Sequence, residues 1–163
     1  MVKLAEDMTM DDRYQAAVRA AFGYNWGWFS MVEKSLGRPE AIKMLQELAK
    51  TFGDALSKQH LEQFGVKTMD IPMMSKVADI IHASTGFVAP WTIDSTSSGF
   101  ETIEYCPRWE AAPEEYKKAG ICAEWCKTSA SAIYQGLSQG KAKFSMRKAR
   151  PYGDPVCVFA IDL

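Results

Sequence analysis

The hydrophobic period of this chain first changes at Gly86, and that change limits the folds open to it. Before Gly86 apolar residues recur every three or four positions; directly after it, over 87–106, they fall in short runs rich in Thr, Ile, Val and aromatics. The first pattern predicts a helix over 10–36, with Tyr14, Ala17, Val18, Ala21, Phe22, Asn25 and Phe29 along one stripe. Thr9 or Asp11 suits its start, Gly37 its end, and Pro39 the first turn of a second helix over 39–64. Ile42, Leu45, Leu48, Ala49, Phe52, Leu56 and Phe64 fall near one face of that helix, and Gly65 ends it. A shorter third helix follows Pro72, with Val77, Ile80 and Ile81 inward.

Beyond Gly86, residues 87–94 and 100–106 read as a β-hairpin around the turn residues Ser95, Thr96, Ser97, Ser98 and Gly99, and Pro107 stops the second strand. Helical pattern returns over 112–118 and 121–137. Residues 141–149 alternate Ala142, Phe144 and Met146 with charged and polar neighbours, which predicts a half-buried strand. A turn over 150–155 leads to a more apolar, central strand over 156–161. Runs of helices and runs of strands predict an α+β fold with N-terminal helices packed on a four-stranded antiparallel sheet. At 163 residues, 47% of them hydrophobic, a single domain over 1–163 can bury a sizeable core.

The charges balance at 19 basic and 20 acidic residues, with no basic arm, which excludes nucleic acid as the main partner. No apolar stretch approaches the roughly 18 residues needed to span a membrane. The opening MVKLAEDMTMDDRYQ lacks the apolar run of an export signal, so a cytoplasmic protein with reduced cysteines is expected.

All four cysteines lie beyond residue 105: Cys106 before Pro107, Cys122 and Cys126 four apart on one helical face, and Cys157 in the last strand. A thiolate is both a nucleophile and a soft metal ligand. Three readings stand. Cys106, Cys122, Cys126 and Cys157 form a thiolate site for zinc or iron, although their spacing is not that of a zinc ribbon or knuckle. At least one is a catalytic or ligand-bearing thiol, lowered by Lys127 or by a place in the first helical turn, as for Cys122. Or they are small core hydrophobes. The two histidines, His60 and His82, read as surface or satisfied core side chains.

The segment Tyr24-Asn25-Trp26-Gly27-Trp28-Phe29 is a second candidate. A helix scatters these side chains around its circumference, so some must face a pocket or partner. Asn25, Trp26, Trp28 and Phe29 are the candidate ligand-binding residues. Gly27 inside a helix hints at close approach by another element or a ligand. The cluster Arg147, Lys148 and Arg150 reads as a solvated strand end, and Asp154 before Pro155 as a turn-former.

Glu104-Tyr105-Cys106-Pro107, then Ala123-Glu124-Trp125-Cys126-Lys127, then Gly153-Asp154-Pro155-Val156-Cys157-Val158-Phe159 resemble, in order and spacing, the L-2-amino-thiazoline-4-carboxylic acid hydrolase-like proteins. More distantly the chain is similar to the 4-vinyl-reductase (hydrocarbon-binding) domains. Asn25 to Phe29 looks like a matching opening segment, so the resemblance spans most of the chain. It implies an α+β fold akin to vesicle-tethering trafficking subunits, a homodimer, and a small-molecule pocket between helices and sheet. It further implies zinc on cysteines in the distant relatives, and in the hydrolase-like ones opening of a thiazoline ring at its amidine carbon to give S-carbamoyl-cysteine. By position Cys106, Cys126, Asp154 and Cys157 match family positions, with Cys126, Cys106 and Asp154 as the catalytic candidates. Cys122 looks like an addition. Lys127 stands where many hydrolase-type members carry an acidic residue. The implied function is a hydrolase-like protein with a cysteine-lined site; the alternative is a non-enzymatic metal- or hydrophobic-ligand-binding sensor or carrier.

Overall fold

The computed structural model describes residues 8–163. The reading of residues 1–7 as free of an export signal lies outside the described residues. Three helices come first: α1 (Met10–Leu36), α2 (Arg38–Phe64) and α3 (Ile71–Thr85). Thr9 opens α1 through a reciprocal cap, its hydroxyl accepting from the Asp12 amide at 3.1 Å while the Asp12 carboxylate accepts from the Thr9 amide at 2.9 Å. Asp70 caps α3 by accepting from the Met73 amide at 3.0 Å. The hairpin β1 (Trp91–Ile93) and β2 (Ser98–Ile103) follows, then the short α4 (Pro107–Glu110) and α5 (Glu114–Lys118), then α6 (Ile121–Leu137), β3 (Lys143–Lys148) and β4 (Cys157–Asp162).

The fold is the expected α+β arrangement, with helices on a four-stranded antiparallel sheet of order β1-β2-β4-β3. The last strand is central, as its apolar sequence requires, with Glu101 opposite Phe159 on one side and Met146 opposite Phe159 on the other. Pro107 ends the strand region by starting α4, where its missing N–H leaves no bond unmade. Among the described residues no helix is long and apolar enough to cross a membrane.

Several expected core positions are corrected. On α1 the buried line is Val18, Trp26, Phe29 and Val32, while Ala17 and Ala21 face out. The stripe is rotated because the large rings of Trp26 and Phe29, rather than the alanines, find partners below. On α2 the buried line is Ala41, Leu45, Ala49, Gly53, Ser57 and His60, and Leu48, Phe52 and Phe64 are exposed. Ile80 of α3 is exposed as well.

The small residues on α2 have a cause. A Cβ on Gly53 would lie 2.7 Å from the Ser129 carbonyl oxygen and 2.7 Å from Ala132 Cβ, and one on Gly136 would collide with Ser57. The helices α2 and α6 therefore meet backbone to backbone, and only small side chains fit between them. Gly27 is different. Nothing lies within 4 Å of where its Cβ would be, so the close approach expected there is absent.

These two glycines should respond oppositely. Gly53→Val is expected to destabilise the protein by about 1–3 kcal/mol through overpacking. Gly27→Ala is expected to stabilise it by about 1 kcal/mol through helix propensity alone. Urea unfolding midpoints check both, and a stabilised Gly53→Val would contradict the seam.

Candidate functional site

The four cysteines meet at one end of α6. Cys106 caps α4, its sulfur accepting from the Trp109 amide at 3.3 Å. Gly120 precedes α6, which puts Cys122 in the first turn and Cys126 one turn on. Cys157 opens β4 and accepts from the Arg150 amide at 3.4 Å. All four are free thiols and all four line a cavity of about 30 Å³, room for a water or two, walled by Phe87, Ile103, Trp109, Met146 and Phe159. The Cys122 thiol is hydrogen-bonded to those of Cys106 and Cys126. The donors have the softness zinc or iron prefers. As placed, however, among the described residues no group of three or more His, Cys, Asp or Glu side chains is arranged to hold a metal ion.

Beside the thiols lies a buried cation. Arg108 is 1% exposed. Its guanidinium sits between two indoles, 4.7 Å from the centre of the Trp26 ring and 4.2 Å from that of Trp125. Trp26 also donates through Nε1 to the Arg108 carbonyl at 3.0 Å. The Nε and Nη2 atoms of Arg108 have no hydrogen-bond partner. The acidic groups acting on it are the thiols of Cys122, Cys126 and Cys106. Hydrogen bonds from Cys106 and Cys126, helped by the guanidinium, hold the Cys122 thiol well below its ordinary range. The hydrogen bond to Cys122, together with burial, pushes Cys106 and Cys126 well above it.

A larger cavity of about 130 Å³ lies between α3, α6 and the sheet. Phe22, Phe52, Phe87, Trp125, Tyr134 and Phe159 supply its aromatic walls. It shares Phe87, Ile103, Cys126 and Phe159 with the thiol cavity. Its acidic group is Glu101, 2% exposed. Glu101 Oε1 accepts from Trp91 Nε1 at 3.1 Å, its partner across the β1–β2 pair, and Oε2 accepts from the Tyr134 hydroxyl at 3.3 Å. His82 Nε2 lies 3.3 Å from Oε1, while His82 Nδ1 is buried with no partner. Burial pushes the Glu101 carboxyl up to about 8 and the His82 imidazole down to about 4.

The sequence candidates distribute unevenly. The four cysteines do converge. Asp154 accepts from the Ala149 amide at 2.8 Å, shapes the β3–β4 turn and lines neither cavity. Asn25, Trp26, Trp28 and Phe29 line neither cavity either. Trp26 and Phe29 instead pack on Tyr116 at 5.6 Å and 5.0 Å between ring centres, Trp28 joins the edge of the same cluster, and Asn25 Oδ1 is buried without a partner. From α1 it is Phe22 that reaches the larger cavity. His60 is buried and bonded to Gln63 at 3.1 Å, a satisfied core histidine as expected. His82 is not, because half of its ring lacks a partner.

Sequence reading missed Glu101 and Arg108. Glu101 had a signal, since it lies in phase with Gly99 and Ile103 on the inward face of β2. Arg108 had none beyond its place two residues after Cys106.

No family model matches the chain, and no curated protein matches it. Solved structures do. One is a trafficking protein particle complex subunit 3 from Naegleria fowleri, covalently bound to palmitic acid, with a TM-score of 0.61 and 12% identity over 93% of this chain and 95% of that one. The chain has the trafficking-subunit fold. The phenol-responsive sensory domain of the transcription activator PoxR, solved with phenol, is also similar, at a TM-score of 0.57 and 11% identity over 86% of this chain and 73% of that one. At such identities the likeness extends to the fold alone.

The buried pair sets a pH dependence. Folded Glu101 keeps its proton to about 8, whereas unfolded it loses it near 4.5, so stability falls as pH rises across that window. Folded His82 refuses a proton until about 4, whereas unfolded it takes one near 6.5, so stability rises with pH up to 6.5. The two slopes offset each other below 6.5, and the Glu101 slope alone remains up to about 8. That loss amounts to about 2 kcal/mol. Glu101→Gln should abolish it, as read from urea midpoints at several pH values; an equal decline in both proteins would rule it out.

Proposed function

We propose that this chain is a small-molecule-binding domain of the sensor or carrier kind, with its ligand in the aromatic cavity between α3, α6 and the sheet. The observation that carries this is a partly open, mostly apolar space of about 130 Å³ with one buried polar pair at its wall, of which His82 Nδ1 has no partner. Concave, mostly apolar sites with few polar groups are the usual form of a ligand pocket. An engineered cavity of about 150 Å³ lined by apolar side chains holds benzene, so this one suits a ligand of about one ring. The two fold neighbours hold palmitic acid and phenol, which supports an apolar ligand here. The reading includes a homodimer and a reducing, cytoplasmic setting for the four free thiols.

Hydrolysis of a cyclic amidine has less behind it. Its thiol candidates Cys106 and Cys126 are pushed away from the thiolate, and Asp154 is engaged in a turn. Zinc or iron on Cys106, Cys122, Cys126 and Cys157 is supported by the convergence of four sulfurs on one cavity. It requires the thiols to give up their mutual hydrogen bonds, lose their protons and turn to one ion. Elemental analysis of protein purified without added metal is expected to give about one ion per chain if they do, and none if the thiols remain mutually bonded.

Thermal unfolding with phenol, toluene or a short fatty acid tests the main reading. At about a hundredfold excess over Kd, a bound ligand adds about 2.7 kcal/mol and raises Tm by about 5–10 °C. Ala130→Phe, which fills the cavity from α6, should remove the shift while leaving the protein folded. An equal shift in that variant would move the ligand elsewhere.

A further inference from the structure

We propose that the sulfur-lined cavity is a reducing site for hydrogen peroxide, in which Cys122 takes the oxygen and Cys106 closes a disulfide with it. The four cysteines act here as free thiols, and the site does not depend on what the aromatic cavity holds.

The first argument is contact. Cys122 is the middle thiol of the group, hydrogen-bonded to Cys106 on one side and to Cys126 on the other. A peroxide-consuming site needs such neighbours, one thiol to be oxidised and one to resolve it. Helix geometry selects the resolving partner. Cys126 sits four residues after Cys122 on α6, a spacing that holds the two Cβ atoms about 5–6 Å apart. A disulfide draws its Cβ atoms to about 3.5–4.5 Å, so joining this pair would break a turn of α6. Cys106 caps α4, so no shared helix keeps its sulfur from that of Cys122. The Trp109 amide donates to a lone pair of the Cys106 sulfur, which a disulfide sulfur retains. Cys157 has its own partner in the Arg150 amide at 3.4 Å and acts on Cys122 through charge rather than a hydrogen bond.

The second argument is the companion cation. Arg108 is clamped between Trp26 and Trp125, and the thiol bonded to its guanidinium is that of Cys122. This buried cation keeps Nε and Nη2 unpartnered and has thiols for its acidic neighbours. Such a cation favours electron-rich sulfur beside it. That marks Cys122, rather than Cys106 or Cys126, as the sulfur that attacks.

The third argument is size and access. A cavity of about 30 Å³ takes water, and hydrogen peroxide is little larger, whereas a hydroperoxide carrying a ring does not fit. Half-buried Arg150, Pro151 and Cys157 line the same cavity on its solvent side.

The chemistry balances with peroxide as the oxidant. The Cys122 sulfur attacks one peroxide oxygen: the S–O bond forms, the O–O bond breaks, and the departing hydroxide leaves as water with the Cys122 proton. The Cys106 sulfur then attacks the Cys122 sulfur: the S–S bond forms, the S–O bond breaks, and the second hydroxide leaves as water with the Cys106 proton. Two thiols are oxidised to one disulfide, and one peroxide is reduced to two waters.

Thiol counting after an acid quench, intact mass and peptide mapping of the full chain treated with hydrogen peroxide at neutral pH test this. The expected result is two thiols lost per chain with no oxygen added to the mass, a disulfide mapped between Cys106 and Cys122, and a rate at least about tenfold above that of the same chain in urea. Cumene hydroperoxide is expected to react at least about tenfold more slowly than hydrogen peroxide. Cys106→Ala should stop at a sulfenic acid on Cys122, captured as a dimedone adduct, and Cys122→Ala should bring the rate down to that of the unfolded chain. Where either variant fails to fold, the map of the native chain decides by itself. A disulfide in any other pairing, oxygen added without a disulfide, cumene hydroperoxide reacting as fast, or a rate no higher than in urea overturns the proposal. So does about one zinc or iron per chain in the protein as purified.

Discussion

A guanidinium held between two indoles is the joint on which this end of the molecule turns. Arg108 belongs to a helix of one turn, too short to be stable alone. It is positioned by Trp26 from α1 on one face and Trp125 from α6 on the other, and its own carbonyl accepts from Trp26. Three elements distant in sequence are thereby fixed to one planar group. The thiols of Cys106, Cys122 and Cys126 occupy the remaining side, where a carboxylate would be the usual companion of a buried cation. The place of α4 follows from that stack, and the guanidinium held there adds to the hydrogen bonds from Cys106 and Cys126 that keep the Cys122 thiol low.

The interior consequently has two compartments with a common wall. Phe87, Ile103, Cys126 and Phe159 face the sulfur-lined space on one side and the aromatic space on the other. Cys126, one helical turn from Cys122, is the residue that belongs to both chemistries. The aromatic space is bounded on the α6 side by a helix whose far face is pressed against α2 at glycine. Its boundary there is tightly packed, whereas Phe22 of α1 and the solvent-edge Phe52 of α2 close the other side.

Much of this architecture was legible because it follows from period and punctuation. The switch at Gly86, the prolines at 39, 72 and 107, and the alternation through Phe144 and Met146 report local backbone preference, which tertiary packing then kept. The convergence of four cysteines was legible in the same way, as residues placed at element ends. The faces of α1 and α2 were less so. A stripe of alanine and aromatic residues admits several rotations, and the choice was made by partners the local pattern does not name: Tyr116 and Arg108 for α1, and the glycines and serine of the α2–α6 seam for α2. Glu101 was hidden by its charge, which suggests solvent even though its phase on β2 points inward. Arg108 was invisible for a plainer reason, since its burial depends wholly on two tryptophans far from it in sequence.

The sheet has one more consequence. Its outer strands are poor templates for growth: β1 is three residues long, and β3 carries Lys143, Arg147 and Lys148 with a register shift between Met146 and Lys148. Short, charged and kinked margins are how β-proteins discourage strand addition by neighbours. A chain with such margins resists fibril-like self-assembly through its sheet, and its encounters with other molecules are left to the helical side.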